Sequence, residues 1–276
     1  MPSAALQEIV EYRGVEGLVA AEVLTDDDNE GYTTGSVFAI AGVAEISKTT
    51  DSSNEAHYYD NMPAVVVSNT SSDTVTISAS AIPLDVLATI TGQNYDQATG
   101  ALIEGPRDLK YFAIGYKTQK TNGDEMYVWR YKGTFNIPDQ TNTTQNDSTD
   151  ANGQEIVYTG ISTTHKFEET GKGAKALVVD VGKGLADVSA FFTTVTTPDT
   201  LQAAAQNTVT ITQGSQTTLV VKKGNTTLAT GAKVNNGDQL LITVTGGTVT
   251  VNGTDFISGN IHVVSGDVAI VSTHTT

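Results

Sequence analysis

The stretch that decides the fold runs from Tyr111 to Phe135 and has the sequence YFAIGYKTQKTNGDEMYVWRYKGTF. Apolar and polar residues alternate after Asn122-Gly123, from Trp129 to Lys132, and a continuous apolar run, Tyr111–Tyr116, comes before it. Alternation with a period of two is typical of β-strands, and Asn-Gly favours the positive φ angles of a tight hairpin turn. The sequence therefore predicts two antiparallel strands, Tyr111–Thr118 and Glu125–Ile137, joined as a hairpin.

The second of these strands has two distinct faces. One face carries the aromatic residues Tyr127, Trp129, Tyr131 and Phe135. The other carries Met126, Val128, Arg130, Lys132 and Asn136. We predict that the aromatic face belongs to the core and that the other face is partly solvent-exposed. The alternative is that the aromatic face is a binding platform.

The same period recurs along the chain and predicts a mainly β protein. Further strands are expected at Val15–Leu24, Ser36–Ser47, Ala64–Ser68, Thr74–Ser80, Glu155–Phe167 and Ala174–Val181. The segment Ser80–Gly92 instead predicts one helix, because Pro83 lies early, Leu84, Val86, Leu87 and Ile90 form an apolar stripe, and Gly92 can end it. Residues Asp187–Thr194 are a weaker candidate for a second, short helix.

The composition changes near Pro198. Residues 199–206 are predicted to be a linker between a domain at 1–198 and a smaller one at 207–276. Six short strands punctuated by Gly and Asn predict an immunoglobulin-like β-sandwich for the second domain. They are expected at Thr208–Thr212, Thr217–Lys222, Gln239–Thr245, Thr248–Asn252, Ile261–Val264 and Val268–Ser272.

Net charge is divided unequally between these two parts. Residues 207–276 contain three lysines and three aspartates, so the whole formal charge of −16 lies before Asn207. Stable binding to DNA or to anionic membranes is disfavoured, because Lys and Arg supply most non-specific affinity for phosphate. We expect a soluble protein made in the cytoplasm, since there is neither a secretory signal nor an apolar run that could span a membrane.

No motif predicts catalysis or a cofactor. The chain has no cysteine, and its four histidines, His57, His165, His262 and His274, lie in separate segments. Asp26–Glu30 and Ser148–Gly153 contain oxygen ligands suited to Ca²⁺, but neither matches a complete calcium loop, and solvated turns are the preferred interpretation. We therefore predict neither an enzyme nor a metal or cofactor site.

Several stretches of the first two-thirds resemble the major tail proteins of long-tailed phages of Gram-positive bacteria. They are Tyr58–Pro63, the helical Ile82–Gln93 with Tyr95-Asp96, Tyr111–Tyr116 and Tyr127–Gly133. Their order and spacing carry the resemblance, and the segment from Asn207 is similar to the immunoglobulin-like domain that some members append. The resemblance implies a tail tube domain of two packed β-sheets with a flanking helix, six copies per ring, and rings stacked into a tube through which DNA passes.

A virion protein of this kind would have itself and other tail proteins as partners, and DNA only as cargo that does not adhere. Two polar segments, Thr25–Gly35 and Ser47–Asn61, are predicted to be loops that order against neighbouring subunits, and Asp139–Gln154 is a third polar loop. The candidate assembly residues are Asp26, Asp27, Asp28, Tyr32, Tyr58, Tyr59, Asp60 and Asn61.

Two further hypotheses concern the acidic and neutral parts. Carboxylates of the acidic part would line the lumen and repel DNA phosphate, whereas the neutral C-terminal domain would face outward, where it could touch the host surface. The competing function is a surface-exposed adhesin or glycan-binding module that binds through the C-terminal sandwich.

Overall fold

The computed structural model describes residues 9–59, 61–139 and 153–275. The fold is mainly β, as predicted. The strands of the first part are β1 (Tyr12–Asp27), β2 (Gly31–Thr34), β3 (Phe38–Ala39), β4 (Val43–Tyr59), β5 (Met62–Ala79), β6 (Asn94–Asp96), β7 (Ala101–Ile103), β8 (Phe112–Lys120), β9 (Glu125–Phe135), β10 (Gln154–Ile161) and β11 (Ala176–Asp180). Those of the second are β12 (Gln206–Thr212), β13 (Thr218–Lys223), β14 (Thr226–Thr227), β15 (Ala232–Asn235), β16 (Gln239–Thr245), β17 (Gly247–Val251), β18 (Thr254–Phe256), β19 (Ile261–Val263) and β20 (Val268–His274).

The chain forms two compact units. Unit 1 comprises Met1–Lys183 and Val188–Leu201, and unit 2 comprises Gly184–Asp187 and Gln202–Thr276. The predicted linker at 199–206 is therefore divided between the units. Part of it is ordered within unit 2, where Ala203 forms a β-bridge with Ala186.

Nine strands of unit 1 are hydrogen-bonded into one branched sheet, whereas the resemblance implies two sheets. The main path is β2-β1-β8-β9-β10-β5-β4, with β3 added to β1 and β11 added to β9. The sheet curls so that β4 comes back against β1, and Val15 and Ile46 of these strands pack on one core. The predicted strand Ser36–Ser47 is broken, because the chain pairs with β1 at Phe38–Ala39 and then crosses to pair with β5.

The hairpin of β8 and β9 is confirmed, but its faces are not as predicted. The register shifts between the pairs Ile114–Arg130 and Phe112–Gly133, which is a β-bulge on β9. A bulge adds one residue and so moves every later side chain to the opposite face. Phe135 consequently packs with Phe112 in the main core, away from Tyr131. Val128 and Arg130 on the supposedly exposed face are also buried.

The helix is α1, Leu84–Thr91, shorter than predicted at its start. Pro83 occupies the N-cap, and Gly92 ends the helix with a left-handed φ of 73°. A Cβ at Gly92 would lie 2.0 Å from the carbonyl oxygen of Asp108, so only glycine fits there. Leu87 and Ile90 are buried as expected, whereas Leu84 is exposed. The second predicted helix is absent: Asp187–Thr194 contains hydrogen-bonded turns.

Unit 2 is the predicted β-sandwich. One sheet has the order β15-β12-β20-β17-β18 and the other β14-β13-β16-β19. The first strand, β12, runs parallel to the last, β20, and the two sheets enclose an apolar core that includes Val209, Val221, Leu240 and Ile270. The six predicted strands correspond to observed ones, and the short strands β14, β15 and β18 were not anticipated.

Candidate assembly surfaces

The most unusual element of unit 1 is a long two-stranded extension. Strand β5 pairs with β10 only from Asp73 to Ala79, while its pairing with β4 continues from Ser52–Thr70 to Tyr59–Met62. We call the pairs from Ser52–Thr70 to Tyr59–Met62 the arm. Within the described residues both outer edges of the arm are unpaired. At about 3.3 Å per residue the arm is roughly 25 Å long.

The arm exposes large apolar side chains. The exposed fractions are 67% for Tyr58, 64% for Tyr59, 68% for Met62, 50% for Val65 and 66% for Val66. A two-stranded hairpin alone in water is only marginally stable, and clustered exposed apolar groups mark interaction sites. The arm therefore has the properties of an element that is completed by another protein chain.

The arm corrects one prediction about local structure. Ser47–Asn61 is not a loop, because nearly all of it lies in β4. Its polar residues have weak strand propensity, but pairing with the valine-rich strand β5 overrides that preference. Of the predicted assembly residues, Tyr58 and Tyr59 end β4, and Asn61 begins the return with a φ of 61°. Asp60 lies outside the described residues.

The other predicted loop, Thr25–Gly35, is a tight hairpin between β1 and β2. The side chain of Asp27 accepts hydrogen bonds from the backbone N–H groups of Asn29 (2.6 Å) and Glu30 (3.3 Å). Gly31 comes next with a φ of 86°. The polar residues that suggested a long loop instead form a short turn, because Asp, Asn and Gly favour turns.

Asp26 is fully engaged within its own chain. Its carboxylate accepts hydrogen bonds from Lys132 Nζ (2.5 Å) and from the backbone N–H groups of Thr164 (2.9 Å) and His165 (2.9 Å). Burial raises the pKa of Asp26, but the hydrogen bonds from Lys132, Thr164 and His165 outweigh it and hold the pKa below its ordinary value. The residue fixes β1 to the segment after β10.

The neighbouring predicted residues act in the same way. Asp28 accepts hydrogen bonds from the backbone N–H (3.1 Å) and Nζ (2.8 Å) of Lys166, and these bonds lower its pKa. The hydroxyl of Tyr32 donates to the carbonyl oxygen of Tyr131 (2.6 Å), and its ring packs edge-on against Phe167. The polar atoms expected to meet a neighbouring subunit therefore hold the hairpin in place inside unit 1.

The aromatic face of β9 is closed rather than open for binding. Trp129 Nε1 donates to the carbonyl oxygen of Phe191 (2.8 Å), and the hydroxyl of Tyr131 donates to that of Thr196 (3.1 Å). Phe192 packs on the indole ring, and both Trp129 and Tyr131 have no exposed surface. The segment Val188–Leu201 thus covers this face, which excludes a binding platform there. This cover was not anticipated from the sequence, although the Phe191-Phe192 pair within a threonine-rich run is the feature that could have indicated it.

A second apolar surface lies at the end of the sheet opposite the arm. It consists of residues beside α1 and next to the start of β8 and the end of β9, and all are at least 40% exposed: Leu84, Ile103, Leu109, Tyr111 and Ile137. A groove of about 560 Å³ beside α1 has a mixed lining, in which Phe38, Val86, Ala88 and Tyr95 lie next to polar and charged residues such as Asp85, Asp108 and Lys110. We call these residues together the helix-end surface. Unit 1 therefore has an apolar projection at one end and, at the other, exposed apolar side chains beside a groove of mixed polarity.

The described part of the chain shows no candidate for metal chemistry. No group of three or more metal-ligating side chains is found among the described residues. His165 packs against Phe167 and His262 against Phe256, while His57 lies in the exposed arm. No described helix has the length and apolar character needed to cross a membrane.

Comparison with known proteins does not place the chain in a family. Neither a protein-family model nor a curated protein matches it.

Proposed function

We propose that the protein is a structural virion subunit that assembles with copies of itself into stacked rings, forming a phage tail tube. The observation that carries this proposal is the arm, which combines unpaired strand edges with exposed tyrosine, methionine and valine side chains. A monomer gains nothing from keeping such an element in water. A polymer gains both backbone hydrogen bonds and apolar burial.

The presence of two different surfaces at opposite ends of unit 1 supports stacking. The arm and the helix-end surface lie at opposite ends of the sheet, so the arm of one copy points away from its own helix-end surface. Two different surfaces that complement each other make a heterologous contact, which repeats without limit unless it closes on itself. Contacts from arm to helix-end surface would join rings along the tube axis.

The strand edges support ring formation. Both edges of the arm have free backbone N–H and C=O groups within the described structure. Such edges pair readily with a strand from another chain. Arms of neighbouring copies would pair side by side, and a ring closes when the rotation between copies divides a full turn evenly. Six copies is the number that the resemblance implies.

The charge distribution has a use in such a tube. Most described basic residues of unit 1 are already paired with carboxylates, for example Lys120 with Asp180 at 2.7 Å and Lys110 with Glu22 at 3.0 Å. The excess of acidic residues before Asn207 therefore remains to set the field around unit 1. Facing a lumen, it would repel DNA phosphate and keep the cargo mobile. Unit 2 would lie outside, where no phosphate has to be repelled.

A surface-binding module is the second candidate, and one feature of unit 2 favours it. Ile261 and Val263 on the edge strand β19, with Leu241 opposite Ile261, expose an apolar strip on the outer face of the sandwich. In a virion this strip would face the surroundings. If the module functions alone, the apolar arm of unit 1 has no role.

Negative-stain electron microscopy of the purified chain over a range of concentrations tests the proposal. We expect rings or tubes above a threshold concentration, with unit 2 projecting outward. Particles that stay dispersed as monomers at every concentration and salt condition, while binding a glycan or cell surface, would support the second candidate instead.

A further inference from the structure

We propose that Asp73 and the cations around it form a clamp that fixes the direction in which the arm leaves unit 1. Among the residues of β5 that pair with both neighbouring strands, Asp73 is the one nearest the arm, opposite Gly160 on β10 and Thr50 on β4. Beyond it β5 keeps only β4 as a partner among the described strands. The clamp therefore lies at the root of the arm.

Four charged side chains meet at this root, and two of them, Asp73 and Arg130, are buried. Asp73 is 4% exposed, and its carboxylate accepts a hydrogen bond from Arg130 Nη1 (3.0 Å) and another from Lys175 Nζ (3.3 Å), with Lys48 Nζ at 3.9 Å. Burial raises its pKa, but hydrogen bonds from Thr50 and Lys175 and the charge of Lys48 outweigh it and leave the pKa below its ordinary value. The carboxylate is therefore ionised at neutral pH and binds groups from three different strands or loops.

The chain is irregular at the same place. The register of β4 and β5 shifts between the pairs Thr50–Asp73 and Ser52–Thr70, and β5 uses one residue more than β4 over this step, which is a bulge. A bulge bends a strand and increases its twist, so it sets the direction of the strand beyond it. Lys175 Nζ also donates to a carbonyl oxygen of β5 within the bulge, that of Ser71. One side chain thus ties the bulge to the buried carboxylate.

Because Asp73 has more than one cationic partner, one of these partners can be removed without unfolding unit 1. Three cations surround one carboxylate, so removing Lys175 leaves Asp73 paired with Arg130. Removing Asp73 would instead leave buried Arg130 without its partner, which is strongly destabilising. Lys175 is therefore the position at which the arm can be released while unit 1 stays folded.

The test compares Lys175→Met with Lys117→Met by amide hydrogen exchange on dispersed protein. Lys117 pairs with Glu16 at 3.5 Å, on the β1–β8 part of the sheet and without contact to the bulge, and serves as the matched control. Losing a hydrogen bond from a charged donor should speed exchange of arm amides about tenfold in Lys175→Met. Amides of β8 and β9 should exchange as in the wild type, and Lys175→Arg should restore most of the protection.

The inference rests on the proposed function only for its consequence in assembly. If the arm mediates assembly, Lys175→Met should also raise the threshold concentration for rings or tubes. Arm exchange that is unchanged in Lys175→Met, or equally changed in Lys117→Met, would overturn the clamp whatever the assembly result. A wild type that never assembles, with faster arm exchange in Lys175→Met, would overturn the proposed function and leave the clamp standing.

Discussion

Replacing Asp26 with alanine should destabilise unit 1 strongly, although Asp26 lies in a stretch whose composition suggests a solvated loop. The side chains of Asp26 and Lys132 are 6% and 13% exposed. The substitution leaves Lys132 without its partner and removes the acceptor for the N–H groups of Thr164 and His165. Breaking a buried pair by removing one partner costs about 3–5 kcal/mol.

Urea unfolding followed by the fluorescence of Trp129 measures this cost. Trp129 is the only tryptophan of the chain and is buried in unit 1, so the emission reports on unit 1 alone. With a urea dependence of about 3 kcal/mol per molar, the midpoint should fall by about 1 M or more. Asp28→Ala is the matched control, because its pair with Lys166 is solvent-exposed and should matter far less. Equal midpoints for Asp26→Ala and the wild type would refute the assignment of Asp26 as a structural residue.

Three further predictions concern the boundaries of unit 1, the pH dependence of its stability, and Phe191, which covers the aromatic face of β9. A chain ending at Leu201 should keep the wild-type fluorescence of Trp129, whereas one ending at Lys183 should not fold, because the cover of the aromatic face is then missing. The pKa values of Asp26 and Asp73 are below 3.8, so their ionised side chains stabilise unit 1 above that pH and lose this effect as the pH falls further. Urea midpoints measured from pH 6 to pH 3 should therefore decline mainly below about pH 4, and the decline should be smaller in Asp26→Asn. Phe191→Ala should cost about 3–5 kcal/mol in the same urea assay, and a cost below about 1 kcal/mol would contradict its place in the core.

The pattern of two apolar-rich stretches around an Asn-Gly turn was enough to predict the central hairpin and the mainly β fold, although only β9 alternates and β8 is buried on both faces over Phe112–Tyr116. It did not reveal the bulge near Tyr131 that carries Phe135 to the other face. The local sign was Gly133, because an isolated glycine within a strand marks a bulge or a close approach, but that sign alone does not give the register. The same limit applies to the break after Ala39, which reflects a change of partner strand rather than a local preference.

The local structure of the candidate assembly residues was predicted only in part. Tyr58 and Tyr59 are exposed, as an assembly role requires, but their segment is a strand because its partner in β5 supplies the β-propensity. Asp26 and Tyr32 lie in a stretch whose composition predicts a loop, but their side chains make contacts within unit 1 that hold a hairpin in place. Whether a polar side chain faces a neighbouring copy or its own chain depends on distant residues such as Lys132, and composition does not contain that information.

The central claim is that the arm drives assembly, and sedimentation of a variant that keeps the arm but removes its two exposed tyrosine side chains tests it most directly. The variant is Tyr58→Ser with Tyr59→Ser, and the control is Ile257→Ser, which removes a 72% exposed apolar side chain from unit 2. We predict that wild type and control pellet as rings or tubes at the same threshold concentration, while the arm variant remains in the supernatant with an unchanged urea midpoint. Pelleting of the arm variant at the wild-type threshold would contradict the claim.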